Sequence, residues 1–234
     1  MKILIIGASR GTGRLLVERC LAEGHQATVL VRNIWDPALS RTNLQAIRGS
    51  ILHRNAVLEA VRKQDAVCIT IGVRPSLQRT HVFAPGTRIV TDAMKMHGVN
   101  RLVCVTGIGA GDSEGHGGFF YDRVLRPTLL ASLYADKNEQ EAVVRASGTQ
   151  WTLVRPGFLT NGPGTGRYRV STDLTGVTAA RISRADVAKY LLRELTTGEH
   201  TGKTVLVDGG SESGSKRAVP QWPRGRTVPL SQSH

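Results

Sequence analysis

The sequence has few of the residues that build disulfides or metal centres. Its 234 residues include three cysteines, Cys20, Cys68 and Cys104, which are widely separated in apolar surroundings. An odd number of cysteines without Cys-x-x-Cys spacing predicts reduced core residues rather than a disulfide framework. The seven histidines are scattered, and no His/Cys/Asp/Glu cluster has metal-ligand spacing. We therefore expect no metal site.

Long hydrophobic runs are also absent. The longest apolar stretch, residues 66–73, has the length of a strand and is far too short to cross a bilayer. At the N-terminus, a short apolar run ends at Gly7 and is followed by Arg10 and Arg14, which does not match a secretory signal. The sequence therefore predicts a cytoplasmic protein without a membrane partner.

Acidic residues are scarce, 18 against 31 basic residues, and the formal net charge is +13. Such an excess raises the question of an anionic partner: nucleic acid, a membrane surface or a phosphorylated small molecule. Aromatic residues make up only 5% and do not alternate with basic ones, so no stacking platform or reading helix for nucleic acid is visible. We expect no nucleic-acid partner. A solvated basic surface and a phosphorylated ligand both stay open.

What the sequence does have is a regular alternation of strand-like and helix-like runs. Strands are predicted at residues 2–6, 27–31, 44–47, 66–71, 101–106, 151–155 and 204–207, and helices at 12–22, 56–62, 82–97, 129–147 and 184–195. This alternation is typical of a parallel sheet wound with helices. We predict an α/β fold, a single Rossmann-type doubly wound parallel sheet with helices on both faces.

One domain accounts for most of the chain, because its length and 40% hydrophobic content fit one large core better than two. Residues 1–208 are predicted to form this domain with built-in substrate loops. Residues 107–120 contain six glycines and are expected to be a mobile loop. Residues 209–234, rich in Ser, Gly, Pro, Lys and Arg, are predicted to be a flexible basic tail.

The stretch GASRGTG, residues 7–13, joins the first strand directly to the first helix. This arrangement brings backbone N–H groups and the positive end of a helix to one point, which suits a pyrophosphate. Gly7 permits the tight turn, Gly11 the close approach of a ligand, and Gly13 the packing of helix against strand. A lone glycine pattern is weak, but here a strand precedes it and a helix follows. We interpret the stretch as a dinucleotide-binding loop.

The end of the second strand indicates which dinucleotide is bound. An NAD-binding protein usually presents Asp or Glu there to the ribose 2′-hydroxyl, whereas this chain has Arg32. A planar guanidinium pairs well with a 2′-phosphate, and Arg10 in the glycine loop can approach it from the other side. The sequence therefore favours NADP(H). The alternative is that both arginines are ordinary surface charges.

Five segments together resemble a known family. They are GASRGTG at 7–13, VLVRN at 29–33, QDAVCITIG at 64–72, GVNRLVCVTG at 98–107 and WTLVRPGFLTNGP at 151–163. Their combination is similar to the atypical short-chain dehydrogenase/reductases, and within them to the NmrA-like and biliverdin/flavin reductase branch. The resemblance covers residues 1–208, and its motifs are specific for fold and cofactor and much less so for substrate.

The resemblance implies a cofactor site at the ends of the strands. The implied contacts are Gly7, Ser9, Arg10, Gly11, Thr12, Gly13 and Arg32 for the adenosine and phosphates, Ile71 and Gly72 for the adenine and ribose side, and Thr106, Gly107, Pro156, Gly157 and Phe158 for the nicotinamide. An Asp that many relatives place after the third strand is replaced by Ser50, which could make part of the same adenine contact.

The catalytic pattern of the wider superfamily is altered in this chain. Members use Tyr-x-x-x-Lys, in which the lysine lowers the pKa of the tyrosine so that it donates a proton to a carbonyl oxygen. Here Tyr134 and Lys137 are one residue closer, and this spacing is expected to shift the tyrosine by a large rotation about the helix relative to the usual pattern. Both are candidate catalytic residues and Lys137 also a candidate cofactor contact, with a solvated helix surface as the alternative. The serine and histidine of the biliverdin/flavin branch are replaced by Gly107 and Gly157, so no acid/base role carries over there.

The glycine-rich loop ends in Phe119, Phe120 and Tyr121, three of the eleven aromatic residues of the chain. Adjacent rings on a mobile loop suit a lid over a flat conjugated acceptor, although they can equally anchor the loop to the core. His116, in the same loop, is either a proton donor or a solvated histidine.

Together these features favour an NADPH-dependent oxidoreductase that transfers hydride to a small planar or carbonyl acceptor, such as a flavin or a quinone. The alternative is a non-catalytic NADP(H)-binding redox sensor of the NmrA-like type. We expect a small-molecule acceptor as partner and a monomer or homodimer as assembly. Asp186 is predicted to cap or brace the final helix.

Overall fold

The computed structural model describes residues 1–32, 42–73, 81–108 and 131–210. Its strands are β1 (Lys2–Ile6), β2 (Gln26–Val31), β3 (Leu44–Arg48), β4 (Ala66–Ile69), β5 (Arg101–Val105), β6 (Gln150–Pro156), β7 (Phe158–Thr160), β8 (Arg169–Ser171), β9 (Arg181–Ser183) and β10 (Lys203–Asp208). Its helices are α1 (Gly11–Ala22), α2 (Arg54–Val61), α3 (Phe83–His97), α4 (Ala131–Arg145) and α5 (Arg184–Thr197). Every predicted strand and helix is found, with small differences at the ends.

Within the described residues, eight strands form one sheet in the order β3-β2-β1-β4-β5-β6-β10-β8. Neighbouring strands are parallel from β3 to β10, and the edge strand β8 pairs antiparallel with β10. The strand order reverses at β1, since β2 and β3 lie on one side of it and β4 to β6 on the other. The sheet is therefore doubly wound as predicted, with an antiparallel edge that was not predicted.

The central strands are buried on both faces. In β1, Ile3 and Ile5 point to one face and Leu4 and Ile6 to the other, because side chains alternate along a strand. The first pair packs with buried residues of α1 and α5, and the second pair with buried residues of α2, α3 and α4. Helices on both faces confirm the predicted fold class. The three cysteines are free and buried in these cores, as the sequence indicates.

The carboxylate of Asp136, in α4, fixes the start of α3. It accepts hydrogen bonds from the backbone N–H groups of Val82 at 2.8 Å, Phe83 at 3.0 Å and Ala84 at 2.9 Å. The first N–H groups of a helix have no partner inside it, and a carboxylate there also interacts favourably with the helix dipole. Asp136 therefore caps α3 and ties it to α4.

Three short strands, β7, β8 and β9, lie between β6 and α5, where the sequence pattern predicts no strand. Strands β7 and β9 pair in parallel as a separate two-stranded sheet, and β8 extends the main sheet. Arg169 of β8 forms an ion pair with the buried carboxylate of Asp208 in β10 at 2.7 Å. Because each of these strands has three residues, its formation depends on partners distant in sequence rather than on a local pattern.

The candidate lid residues His116, Phe119, Phe120 and Tyr121 lie outside the described residues, and so does the segment after residue 210. Among the helices that the structure describes, none combines the length and the apolar character needed to span a bilayer.

Candidate functional site

The carboxyl ends of β1 and β4 mark the place where the strand order reverses. The chain leaves β1 through residues 7–10 into α1 and then enters β2, whereas β4 lies on the other side of β1. Loops that diverge from such a point leave a crevice, which is the usual ligand position in open α/β sheets. The predicted cofactor residues are therefore expected to meet here.

The glycine loop lies directly against the residues that follow β4, and at two of its positions there is no room for a side chain. Gly7 has a φ of +97°, and a methyl group on it would lie 2.7 Å from the carbonyl carbon of Thr70. A methyl group on Gly13 would overlap the carbonyl oxygen of Gly7 and lie 2.5 Å from Oγ1 of Thr70. The side chain of Arg10, which precedes α1, does not cap the helix. The first N–H groups of α1 therefore suit an anionic ligand such as a pyrophosphate.

Two exposed arginines lie at this edge of the sheet, Arg10 in the loop itself and Arg32 at the end of β2. Ile6 pairs with Leu30, so Arg32, which directly follows β2, is at the same edge of the sheet as the loop. Arg10 and Arg32 are exposed, and neither has a carboxylate partner in the part of the chain that the structure describes. Ser9 and Thr12 belong to the same turn. The structure thus brings together the residues predicted to hold the phosphates.

Ser50, Ile71 and Gly72 complete the adenosine side of the predicted site. Ile71 and Gly72 follow β4 and adjoin the glycine loop, since a methyl group on Gly7 would lie 2.8 Å from the backbone nitrogen of Ile71. The hydroxyl of Ser50 accepts a hydrogen bond from the N–H of Leu52 at 3.3 Å. Ser50 therefore has a local role in the turn before α2, and its adenine contact stays a prediction.

Lys137 brings a buried amine to the carboxyl end of β5. Its Nζ donates to the carbonyl oxygen of Thr106 at 3.0 Å and lies 4.3 Å from the centre of the Phe83 ring. Burial lowers the pKa of Lys137 to about 8, because desolvation disfavours the charged form. An amine with this pKa changes charge close to neutral pH, as general acids and bases in active sites do.

Tyr134 reaches the same strand end. Its hydroxyl donates to the carbonyl oxygen of Ile108 at 2.7 Å, and a methyl group on Gly107 would lie 3.7 Å from the hydroxyl oxygen. Residues three apart on a helix are neighbours on its surface, so the altered spacing still lets Tyr134 and Lys137 reach the same strand end. Both side chains therefore approach residues 106–108.

Glu141 organises the charges behind this strand end. Its carboxylate accepts hydrogen bonds from Thr106 at 2.8 Å, from Arg155 at 2.6 and 2.9 Å, and from Arg145 at 2.9 Å. Burial raises the pKa of Glu141, but the hydrogen bonds and charge of Arg155, the hydroxyl of Thr106 and the charge of Arg145 together outweigh it, and the pKa is lowered. The sequence motifs did not single out Glu141 as a site residue. Its position four residues after Lys137, which places both on the same face of α4, could have indicated it.

The turn after β6 is shaped by packing. The N–H of Gly157 donates to Val207 at 2.9 Å, and that of Phe158 donates to Ala180 at 3.1 Å. A methyl group on Gly157 would overlap the carbonyl oxygen of Ala180. Packing therefore explains the glycine where the biliverdin/flavin branch has a histidine. The contact of Pro156, Gly157 and Phe158 with a nicotinamide stays a prediction.

Asp186 holds the segment after β7 against the start of α5, the bracing role predicted for it. Its carboxylate accepts hydrogen bonds from the N–H groups of Thr165 at 2.9 Å and Gly166 at 2.7 Å and from the hydroxyl of Ser183 at 2.8 Å. The neighbouring Arg184, which sequence analysis did not single out, lies against Gly11. The post-β7 segment and the glycine loop therefore meet at α5.

The fold and the crevice define a dinucleotide-binding α/β protein of the Rossmann type. A family model described as NAD(P)H-binding matches residues 7–198, from the glycine loop to the end of α5. The chain belongs to this family, which confirms the membership that the motifs indicated.

Several known proteins are similar to this chain. The uncharacterized sugar epimerase YhfK of Bacillus subtilis is 29% identical over 201 residues, which cover 83% of this chain and 88% of the relative. The (4-alkanoyl-5-oxo-2,5-dihydrofuran-3-yl)methyl phosphate reductase of Streptomyces griseus is 26% identical over 234 residues, which cover 97% of this chain and 75% of the relative. A solved short-chain dehydrogenase/reductase from Veillonella parvula in complex with NADP has a TM-score of 0.75 at 18% identity, covers 94% of this chain and 99% of its own, and shows the common fold.

Proposed function

We propose that this protein is an NADPH-dependent reductase that transfers hydride to a small planar or carbonyl acceptor such as a flavin or a quinone. The observation that carries the proposal is the buried amine of Lys137 at the carboxyl end of β5, on the same edge of the sheet as the glycine loop. The reductase from Streptomyces griseus supports it by family likeness. When bound, the reduced nicotinamide supplies the hydride, and the protein orients the acceptor.

The preference for NADPH over NADH rests on the end of β2. Arg32 occupies the position at which NAD-binding proteins usually present a carboxylate, and Arg10 belongs to the glycine loop at the same edge of the sheet. A guanidinium there favours a 2′-phosphate and offers no acceptor to a 2′-hydroxyl. The relative in complex with NADP is consistent with this preference.

In the proposed reaction Lys137 is the principal catalytic candidate. Its amine donates one hydrogen bond to the carbonyl oxygen of Thr106 at 3.0 Å, which holds the amine at the carboxyl end of β5. The remaining N–H bonds are available to a cofactor hydroxyl or to an oxygen that gains charge as hydride arrives. Tyr134 is the second candidate, but its hydroxyl proton is directed at Ile108. For a flavin or quinone, solvent can supply the proton.

The test is NADPH oxidation, followed by absorbance, with panels of flavins, quinones and aldehydes. The variant is Lys137→Met, and the matched control is Lys95→Met, which removes an exposed lysine from α3. We expect an active acceptor in at least one panel, a loss of kcat/KM of about a hundredfold for Lys137→Met, and no change for the control. Equal activity of Lys137→Met and wild type would overturn the role of Lys137.

A non-catalytic NADP(H) sensor is the second candidate function. The observation that favours it is Leu133, which stands four residues before Lys137, where the superfamily has its tyrosine. The sensor is the better description if NADPH binds tightly and no acceptor in the panels accelerates its oxidation.

A further inference from the structure

The first residues of α1 and α5 lie side by side at the glycine loop. The two helices cover the same face of the sheet, and their buried residues belong to one core. A methyl group on Gly11, the first residue of α1, would lie 3.5 Å from Nε and 3.6 Å from Cδ of Arg184, the first residue of α5. The side chain of Arg184 therefore lies across the start of α1.

The guanidinium of Arg184 is held in place by the segment that follows β7. Its Nη1 donates to the side-chain oxygen of Asn161 at 2.6 Å, in the stretch after β7. Ser183, which precedes Arg184, caps α5 by accepting the N–H of Asp186 at 3.0 Å. These contacts fix both ends of the Arg184 side chain, with the stem on Gly11 and the head on Asn161.

The charge of Arg184 is not neutralised within the described ranges of the chain, where no carboxylate forms an ion pair with it. Asp186, the acidic residue in the same turn, directs its oxygens to Thr165, Gly166 and Ser183 instead. A cation at a helix N-terminus opposes the helix dipole. The guanidinium of Arg184 lies at the N-termini of both α1 and α5, and Arg10 directly precedes α1. An anion bound between Arg184 and Arg10 would stabilise this arrangement.

We propose that Arg184 binds the pyrophosphate of the cofactor and that Asn161 orients it for this contact. This inference rests on the proposed function. The pyrophosphate is favoured over the 2′-phosphate because Arg184 contacts Gly11, the first residue of α1, whereas Arg32 marks the end of β2. Arg184 is thus a binding residue that acts on NADPH and NADH alike, in contrast to Arg32.

The experiment measures dissociation constants of NADPH, NADH and adenosine 2′-monophosphate by titration calorimetry and by competition. For Arg184→Met we expect affinity losses of about ten- to a hundredfold for both NADPH and NADH, because a charge-assisted contact is removed, and unchanged affinity for adenosine 2′-monophosphate, which has no pyrophosphate. The control Arg181→Met removes an exposed arginine three residues earlier and should leave all three affinities unchanged.

Two further variants separate charge from a merely structural tie to Asn161. Arg184→Gln keeps a donor for Asn161 but loses the charge, whereas Arg184→Lys keeps the charge and loses the planar fork. We expect Lys to retain more of the NADPH affinity than Gln, and the dependence of binding on salt to weaken in Arg184→Gln. Melting temperatures of all variants identify any that fail to fold.

Three results would overturn the inference: wild-type affinities for both dinucleotides in Arg184→Met, a loss confined to NADPH, or rescue by Gln rather than Lys. If the folded wild-type chain binds neither NADPH nor NADH, it is the proposed function that fails, and the two failures are thereby distinguished.

Discussion

At the scale of single residues, the proposed preference for NADPH over NADH rests on Arg32, the residue that follows β2. Replacing Arg32 by Glu removes the guanidinium and places a carboxylate beside the 2′-phosphate. We predict that Arg32→Glu weakens NADPH binding by about 1.5–3 kcal/mol, roughly ten- to a hundredfold, and NADH binding far less. Titration of the variant with both cofactors measures the difference.

The control for Arg32 is Arg62→Glu, which makes the same change in charge at an exposed position after α2. It should leave the ratio of the two affinities unchanged. Equal weakening of NADPH and NADH by Arg32→Glu would contradict the assignment of Arg32 to the 2′-phosphate.

The buried amine of Lys137 predicts a particular dependence of stability on pH. Its pKa is about 8 in the folded protein against an ordinary value of 10.5. Between these pH values the unfolded chain binds a proton that the folded chain lacks, so stability rises with pH across this window. Relative to Lys137→Met, we predict that the free energy of unfolding of the wild type gains up to about 3 kcal/mol from pH 8 to pH 10.5.

Urea unfolding of both proteins at several pH values from 7 to 10.5 measures this gain. Lys95→Met, which retains the buried amine, should follow the wild-type curve. Parallel curves for the wild type and Lys137→Met would mean that the folded and unfolded chains hold the proton of Lys137 equally well.

At the scale of elements, Glu141 joins α4 to the ends of β5 and β6. Its carboxylate and the guanidinium of Arg155 are at most 1% exposed, so loss of one charge leaves the other buried without its partner. We predict that Glu141→Gln lowers the free energy of unfolding by about 3–5 kcal/mol. Chemical denaturation measures the loss.

Glu139→Gln is the matched control, two residues away on the same helix. Glu139 pairs with Arg88 at 2.9 Å, but both side chains are more than half exposed, so its loss should cost less than about 1 kcal/mol. Similar effects of the two substitutions would show that the buried network contributes no more than a surface ion pair.

The elements differ in how far local sequence predicts them. Strand β1, the glycine loop and α1 follow from an apolar run, a glycine pattern and helical periodicity that lie next to one another. By contrast, β7, β8 and β9 depend on pairing across distant segments, as the ion pair between Arg169 and Asp208 illustrates. The candidate site divides in the same way: the glycine turn proposed to bind the phosphates is local in sequence, whereas the contacts of Glu141 and Arg184 join elements far apart in sequence.

At the scale of the whole molecule, three of the arginines that contribute to the basic excess lie at one edge of the sheet. Arg10, Arg32 and Arg184 stand around the crevice where the strand order reverses, and none of them pairs with a carboxylate among the described residues. A ligand with phosphates at two separate places would match this distribution. We propose NADP(H) as the phosphorylated small molecule that the net charge of +13 left open.

The proposal that the crevice binds NADP(H) is tested most directly by isothermal titration calorimetry of the folded chain with NADPH and with NADP⁺. The titrations are done at two temperatures, because the binding enthalpy can be close to zero at one of them. We predict that NADPH and NADP⁺ both bind saturably, more tightly than NADH, and that added salt weakens their binding. If neither NADPH nor NADP⁺ gives binding heat at either temperature, the proposed cofactor site is contradicted, and so is the proposed reductase function.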